Sequence, residues 1–323
     1  MKNKLIWIDT LNKHMDEIHE ITDTGFCNRI RTWDILYFLN SKNNFKFEIV
    51  MGESWWPELK EVLEFPNTVL QNEDINLDRK TKIKNIISDS QIINEQFFSN
   101  NSDFILENKN YYVDVSYSFI SDFLFKENAL NSGISSITFK DKNIKEIIEK
   151  ETKDLVGIHV RRGRGVKYKE KLDKIPKDII EEYIKFHKQF GENTYEYYMY
   201  DYVEDDVYFK IIDETLKLNP NQKFYLSHDL SDDLMEYYEK KYGDKIITRK
   251  NFYHLIDNFE KTNLNHIVDC IDLISLSNTK LVISSNHSTW SEFANNYKSS
   301  KNIQAKSDLE INEYLNLYKE INK

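Results

Sequence analysis

The segment His159-Val160-Arg161-Arg162-Gly163-Arg164-Gly165 gathers a histidine, adjacent arginines and two glycines in seven residues. A guanidinium fork pairs with phosphate oxygens, and glycine lets backbone amides approach an anion closely. The segment leaves the apolar run Leu155-Val156-Gly157-Ile158, which reads as a short buried strand. Cations at a strand end suit the binding of a diphosphate, and a solvated basic loop is the plainer alternative. A second candidate is Ser284-Ser285-Asn286-His287-Ser288-Thr289, which joins the apolar run Leu281-Val282-Ile283 to a helical pattern. Amides and hydroxyls at such a junction make an anion site, with Ser285, Ser288 and Thr289 as its members, or an ordinary serine cap. Asp229, beyond the run Lys223-Phe224-Tyr225-Leu226-Ser227, is placed to accept from a ribose or sugar hydroxyl, or to cap a helix. Gly25, Asn28 and Arg29, in Thr24-Gly25-Phe26-Cys27-Asn28-Arg29, read as a loop closing over a phosphate or as a plain strand-to-helix turn.

These residues need elements to hold them. The C-terminal half reads as strands near 155–160, 223–227, 245–248 and 281–284, separated by helices at 177–190, 205–218, 231–242 and around Leu264–Ile271. A final helix is expected from about Ser288. Strands alternating with helices imply a parallel sheet with crossover helices, which binds ligands beyond the carboxyl ends of its strands. The N-terminal half offers strands at 4–9 and 45–51 and a helix at 28–39, and its 75–140 stretch has only a weak pattern. A boundary within 140–152 divides the chain into an N-terminal α/β domain, 1–150, and a C-terminal nucleotide-binding domain, 151–323.

Composition narrows the function. The chain has 323 residues, 40% hydrophobic and 30% charged, with a formal net charge of -10. Neither a basic stripe nor a long Lys/Arg block is present, which speaks against a nucleic-acid partner. No apolar run approaches the roughly 18 residues of a membrane span. The first residues read as a strand rather than a signal peptide. Cys27 and Cys270 make neither a disulfide framework nor a cysteine-rich zinc site, which suits a reducing, cytoplasmic setting. The eight histidines lack tight ligand spacing, so no metal site is expected. Glu204-Asp205-Asp206 reads as favourable charge at a helix N-terminus rather than as a metal motif.

Val156-Gly157-Ile158-His159-Val160-Arg161-Arg162 resembles the first motif of a fucosyltransferase superfamily. That group holds the α1,6-fucosyltransferases, the rhizobial nodulation fucosyltransferases, the α1,2-fucosyltransferases and the protein O-fucosyltransferases. The continuation Gly163-Arg164-Gly165 is most like the nodulation branch; the α1,6 and α1,2 branches often carry Asp where this chain has Arg164. Three further segments are similar in the right places: Lys223 to Asp229, Asp272 to Ser288, and the glycine-containing Thr24 to Arg31. The matches span about residues 20–295, with almost nothing from 55–150.

The resemblance implies a GT-B-type α/β fold, two Rossmann-like domains facing a central cleft, with the acceptor on the N-terminal side. It implies a glycosyltransferase moving fucose from GDP-β-L-fucose to a glycan hydroxyl with inversion, without metal or other cofactor. Its donor-binding residues would be Gly25, Asn28, Arg29, His159, Arg161, Arg162, Asp229, Asp272, Ser285, Ser288 and Thr289. Arg161 would neutralise the departing diphosphate, and Asp272 would accept from guanine, with Asp269 as its rival. Glu170, eleven residues beyond His159, is the candidate base, with Asp173 behind it. Two alternatives stay open: another GDP-linked donor such as GDP-mannose, and a non-catalytic nucleotide-sugar or glycan-binding module.

Overall fold

The structure is a computed structural model. It describes residues 3–8, 26–43, 47–52, 63–71, 90–113, 136–161, 205–228, 232–256, 264–285, 288–297, 301–305 and 311–323, with the single residues 115, 123, 127 and 203. The chain divides into two compact units: Met1–Lys145 with Glu260–Ile267, and Glu146–Phe259 with Val268–Lys323. No helix among the described residues is long and apolar enough to cross a membrane.

In the first unit, β1 (Lys4–Ile8), β2 (Glu48–Gly52), β4 (Thr68–Gln71), β5 (Gln91–Ile93) and β6 (Tyr111–Val113) form a parallel sheet in the order β4-β2-β1-β6-β5. A two-residue antiparallel pair joins β3 (Leu63–Glu64) to β7 (Thr138–Phe139). Helix α1 (Phe26–Lys42) buries Trp33, Ile35, Leu36, Phe38 and Leu39. Phe38, Phe104 and Phe123 pack edge to face, with ring centroids 5.1–5.5 Å apart, the arrangement their quadrupoles favour. Short helix α2 (Glu95–Asn100) is capped by Asn94 and adds Phe98 to this cluster, 4.6 Å from Phe123. Asn43 ties the loop beneath, accepting from Leu106 N–H and donating to the carbonyls of Leu39 and Phe104.

In the second unit, β8 (Val156–Val160), β9 (Phe224–His228), β10 (Ile246–Ile247), β11 (Leu281–Ser284) and β12 (Lys301–Gln304) form a parallel sheet in the order β10-β9-β8-β11-β12. The chain thus lays three strands outward, then returns to the other side of β8. This is the doubly wound order, and its reversal falls between β8 and β11. Every residue of β8 is buried, as a central parallel strand requires.

Alternation along the strands gives the two faces different tasks. Val156, Ile158, Val160, Phe224 and Leu226 join an apolar cluster with α4 (Asp205–Leu218), α5 (Asp232–Tyr242) and α8 (Ile311–Ile321). The opposite face carries Gly157, His159, Tyr225 and Ser227 toward α6 (Leu264–Asn278) and α7 (Thr289–Tyr297). A Cβ at Gly157 would run into Thr279 Oγ1 and Leu276 Cδ1, so glycine lets the end of α6 lie close on β8. The acidic run at 205–206 opens α4, and Asp205 accepts from the Tyr238 hydroxyl at 2.9 Å.

One expectation is corrected here. The helix from Ser288 is not the last element: β12 and α8 follow it in the second unit, and α3 (Lys142–Thr152) precedes β8. Tyr314 and Tyr318 of α8 pack at i, i+4 spacing, and the Tyr314 hydroxyl meets Thr215 Oγ1 at 2.6 Å. Within 75–140, β5 and β6 are three residues each, too short to show a period. The helix expected at 177–190 and Trp55-Trp56 lie outside the described residues.

Candidate functional site

The reversal point of the second sheet brings two of the sequence candidates together. His159 and Arg161 come from the carboxyl end of β8, and Ser285 and Ser288 from the junction of β11 with α7. Ser285 Oγ donates to the His159 carbonyl at 2.6 Å, tying the two strand ends directly. His159 Nδ1 and Ser291 Oγ lie 2.6 Å apart, which ties the imidazole to the first turn of α7. Arg161 follows the last strand residue and is half-buried.

The electrostatics follow from that crowding. His159 is pushed down from 6.5 to about 3, first by burial, then by the Arg161 guanidinium and by His228. The imidazole is therefore neutral at physiological pH. Arg161 is the guanidinium that acts on it, and a fixed positive charge sits at the end of β8. Ser288 Oγ is buried and makes no hydrogen bond among the described residues. This hydroxyl stands immediately before the nine-residue helix α7, whose first-turn amides point the same way as any helix N-terminus.

Asp272, an acceptor for guanine by the resemblance, lies buried under β9. It is 3% exposed, and its two oxygens accept from the Tyr225 hydroxyl at 2.7 Å and the Ser227 hydroxyl at 2.6 Å. Burial raises it from 3.8 to about 6, against the lowering pull of Ser227, Arg249 and Tyr225. Asp269, its rival, pairs with Arg249 at 3.7 Å.

The remaining candidates are placed as follows. Thr289 is the first residue of α7. Asn28 and Arg29 belong to the first unit and stand within α1, which starts at Phe26, so they are helical rather than in a loop. Gly25, Arg162, Glu170, Asp173 and Asp229 lie outside the described residues. Among the described residues no group of three His, Cys, Asp or Glu side chains is gathered as metal ligands would be.

The residues that sequence reasoning passed over are Ser227 as a side chain, Trp290 and Ser291. The Trp290 indole donates to Ser227 Oγ at 3.1 Å, and its ring lies 28° from parallel with His159 at a centroid distance of 6.5 Å. The signal was available for Ser227: it stands two residues from Tyr225 on one strand and hence shares its face. It faces His159 across the β8–β9 register. Nothing local marks Trp290, since its role depends on α7 folding back over β9.

No family model matches the chain, and no curated protein matches it in sequence. Three solved structures similar to it are of fucosyltransferases. They are fucosyltransferase NodZ from Bradyrhizobium (TM-score 0.44, 12% identity, covering 91% of this chain and 92% of that one), POFUT1 in complex with GDP (TM-score 0.44, 11% identity, 95% and 99%), and an Arabidopsis thaliana FUT1 mutant in complex with GDP (TM-score 0.44, 12% identity, 94% and 70%).

Proposed function

We propose that the chain is an inverting, metal-independent glycosyltransferase that moves fucose from GDP-β-L-fucose to a glycan hydroxyl. The observation that carries this reading is the meeting of the end of β8 with the β11–α7 junction at the reversal point of a doubly wound sheet, where Ser285 and Ser291 hold His159, two residues before Arg161. A nucleotide diphosphate bound there would have its negative charge against a guanidinium and a helix N-terminus. Loss of the sugar develops charge on the outer phosphate, and preorganised donors aimed at that charge are usually the largest catalytic effect. His159, held neutral, adds no charge of its own and braces the strand end.

The choice of guanine and of fucose rests on the sequence motifs around His159, Ser227, Asp272 and Gly25. In this reading the two units are those of a GT-B-type enzyme, with the acceptor on the first. Arg162, Asn28, Arg29, Gly25 and Asp229 help hold the donor, and Glu170 takes the acceptor's proton.

The test is incubation with GDP-fucose, GDP-mannose and UDP-glucose while following release of free nucleotide. Slow hydrolysis of GDP-fucose alone is the expected result. Absence of binding to any guanine nucleotide would end the proposal, and preference for GDP-mannose would replace the sugar.

A further inference from the structure

We propose that Asp272 is a positioning residue: through Ser227 it orients Trp290, and Trp290 sets the attitude of His159 beside the anion-binding end of β8. Three hydrogen-bonding elements make up the chain of contacts, and the direction of each bond is fixed by chemistry. An indole N–H only donates, and a carboxylate only accepts. Ser227 Oγ must therefore give its single proton to Asp272 Oδ2, at 2.6 Å, and receive the Trp290 N–H on a lone pair, at 3.1 Å. The other carboxylate oxygen is engaged by Tyr225 at 2.7 Å. Among the described residues Arg249 pairs with Asp269, its Nη1 3.7 Å away, and its charge also favours the ionised form of Asp272.

A buried carboxylate whose described hydrogen bonds both come from hydroxyls is an expensive way to fill space. What it provides here is a defined rotor for Ser227. Without the acceptor, the Ser227 hydroxyl could turn its proton elsewhere and lose its fixed relation to the indole. Trp290 and Ser291 are neighbours in the first turn of α7, and they hold the His159 ring from two sides, by its face and by its Nδ1 edge. The orienting influence thus passes from α6 across β9 to α7 and ends at the strand end that bears Arg161. Asp272 need touch no ligand to act.

The part concerning nucleotide rests on the reading above; the part concerning Trp290 does not. The experiment uses the full chain labelled with 5-fluorotryptophan, the Trp290 signal being assigned by its loss in Trp290→Phe. Fluorine spectra are compared for wild type, Asp272→Asn, Ser227→Ala and Ser227→Thr, and calorimetry measures GDP and inosine diphosphate binding in each. The Trp290 signal should move alike in Asp272→Asn and Ser227→Ala and return in Ser227→Thr, which keeps the hydroxyl. Affinity for both nucleotides should fall together in the first two variants, by about tenfold, the scale of a lost charge-assisted hydrogen bond. An unmoved Trp290 signal in Asp272→Asn overturns the proposal. So does a loss of GDP preference over inosine diphosphate in Asp272→Asn with Ser227→Ala binding normally, which would mark a direct reader of the guanine amino group. Should Asp272→Asn not fold, the Ser227 pair decides by the same signal. If wild type binds neither nucleotide, the functional reading fails while the fluorine spectra still decide the relay.

Discussion

The two units share a sheet plan and differ in where they put buried polar side chains. In each, the strand order reverses beside the unit's first strand. In the first unit, Asn40 and Asn43 serve the backbone: Asn40 pairs with both polar groups of Phe47, and Asn43 pins residues 104–106. In the second, His159, Ser227, Asp272, Ser285 and Ser291 bond chiefly to one another or to a neighbouring strand end. The strand ends also differ in charge: β1 runs into Asp9 and β6 into Asp114, whereas β8 runs into Arg161 and Arg162. Backbone-serving asparagines are what a fold needs to close its loops. A side-chain network at the reversal point is what a site needs to hold a geometry.

That contrast is broken most directly by Arg161→Ala. Removal of the guanidinium should lower transfer from GDP-fucose by about a hundredfold to a thousandfold, as for other preorganised charge stabilisers. The unfolding midpoint should stay near that of wild type, because Arg161 is half-buried and its charge depresses a neutral histidine rather than closing a core. A midpoint that collapses with activity would make Arg161 structural. The converse experiment is Asn43→Ala. It leaves the Leu106 N–H and Phe104 carbonyl without their partner, and buried groups left so cost about 1–3 kcal/mol. Denaturant unfolding should show that loss while GDP affinity stays unchanged.

How legible this was in the sequence varied with the length over which a pattern could repeat. The β8 strand and its arginines were legible because five buried residues end abruptly in charge. Helix α4 was legible over its full span, 205–218, because an amphipathic period repeats through fourteen residues. Strands β5 and β6 were not, since three residues cannot show alternation. The site was half legible. His159, Ser285 and Ser288 stand at strand or helix ends, where local sequence speaks. The turning of Asp272 inward, and its capture by Tyr225 and Ser227, depend on α6 packing over β9 across more than forty residues of chain.

The polar network also gives the second unit a pH signature on the acid side, whereas the shifts described in the first unit, at Lys109 and Tyr111, lie on the basic side. The His159 pKa lies at about 3 in the fold against 6.5 when exposed, so its contribution is whole above pH 6.5 and is lost as pH falls toward 3. For Asp272 the shift runs the other way, to about 6 in the fold from 3.8, so its contribution is whole below 3.8 and is lost as pH rises through 6. Between about pH 4 and pH 6 the two slopes oppose one another, each worth up to about 1.4 kcal/mol per pH unit. Asp272→Asn removes one of them. Its stability should therefore fall more steeply than wild type as the pH is lowered from 6 to 4, and parallel urea-midpoint curves over that range would remove Asp272 from the account.

The smallest expected change in stability distinguishes a site from a cap. A serine N-cap replaced by alanine ordinarily costs about 1 kcal/mol, because its oxygen satisfies an amide of the first turn. Ser288 Oγ makes no such bond among the described residues, although it is buried. Ser288→Ala should then shift unfolding of the empty protein by no more than about 0.5 kcal/mol. With pyrophosphate or GDP present the same variant should lose part of the ligand's stabilisation, because the hydroxyl would then have had an anion oxygen to bind. Thermal midpoints with and without ligand measure both. A full cap penalty in the ligand-free protein, with ligand stabilisation intact, would return this helix to the ordinary role that Asn94 plays in the first unit, where a side-chain oxygen accepts from Phe97 N–H.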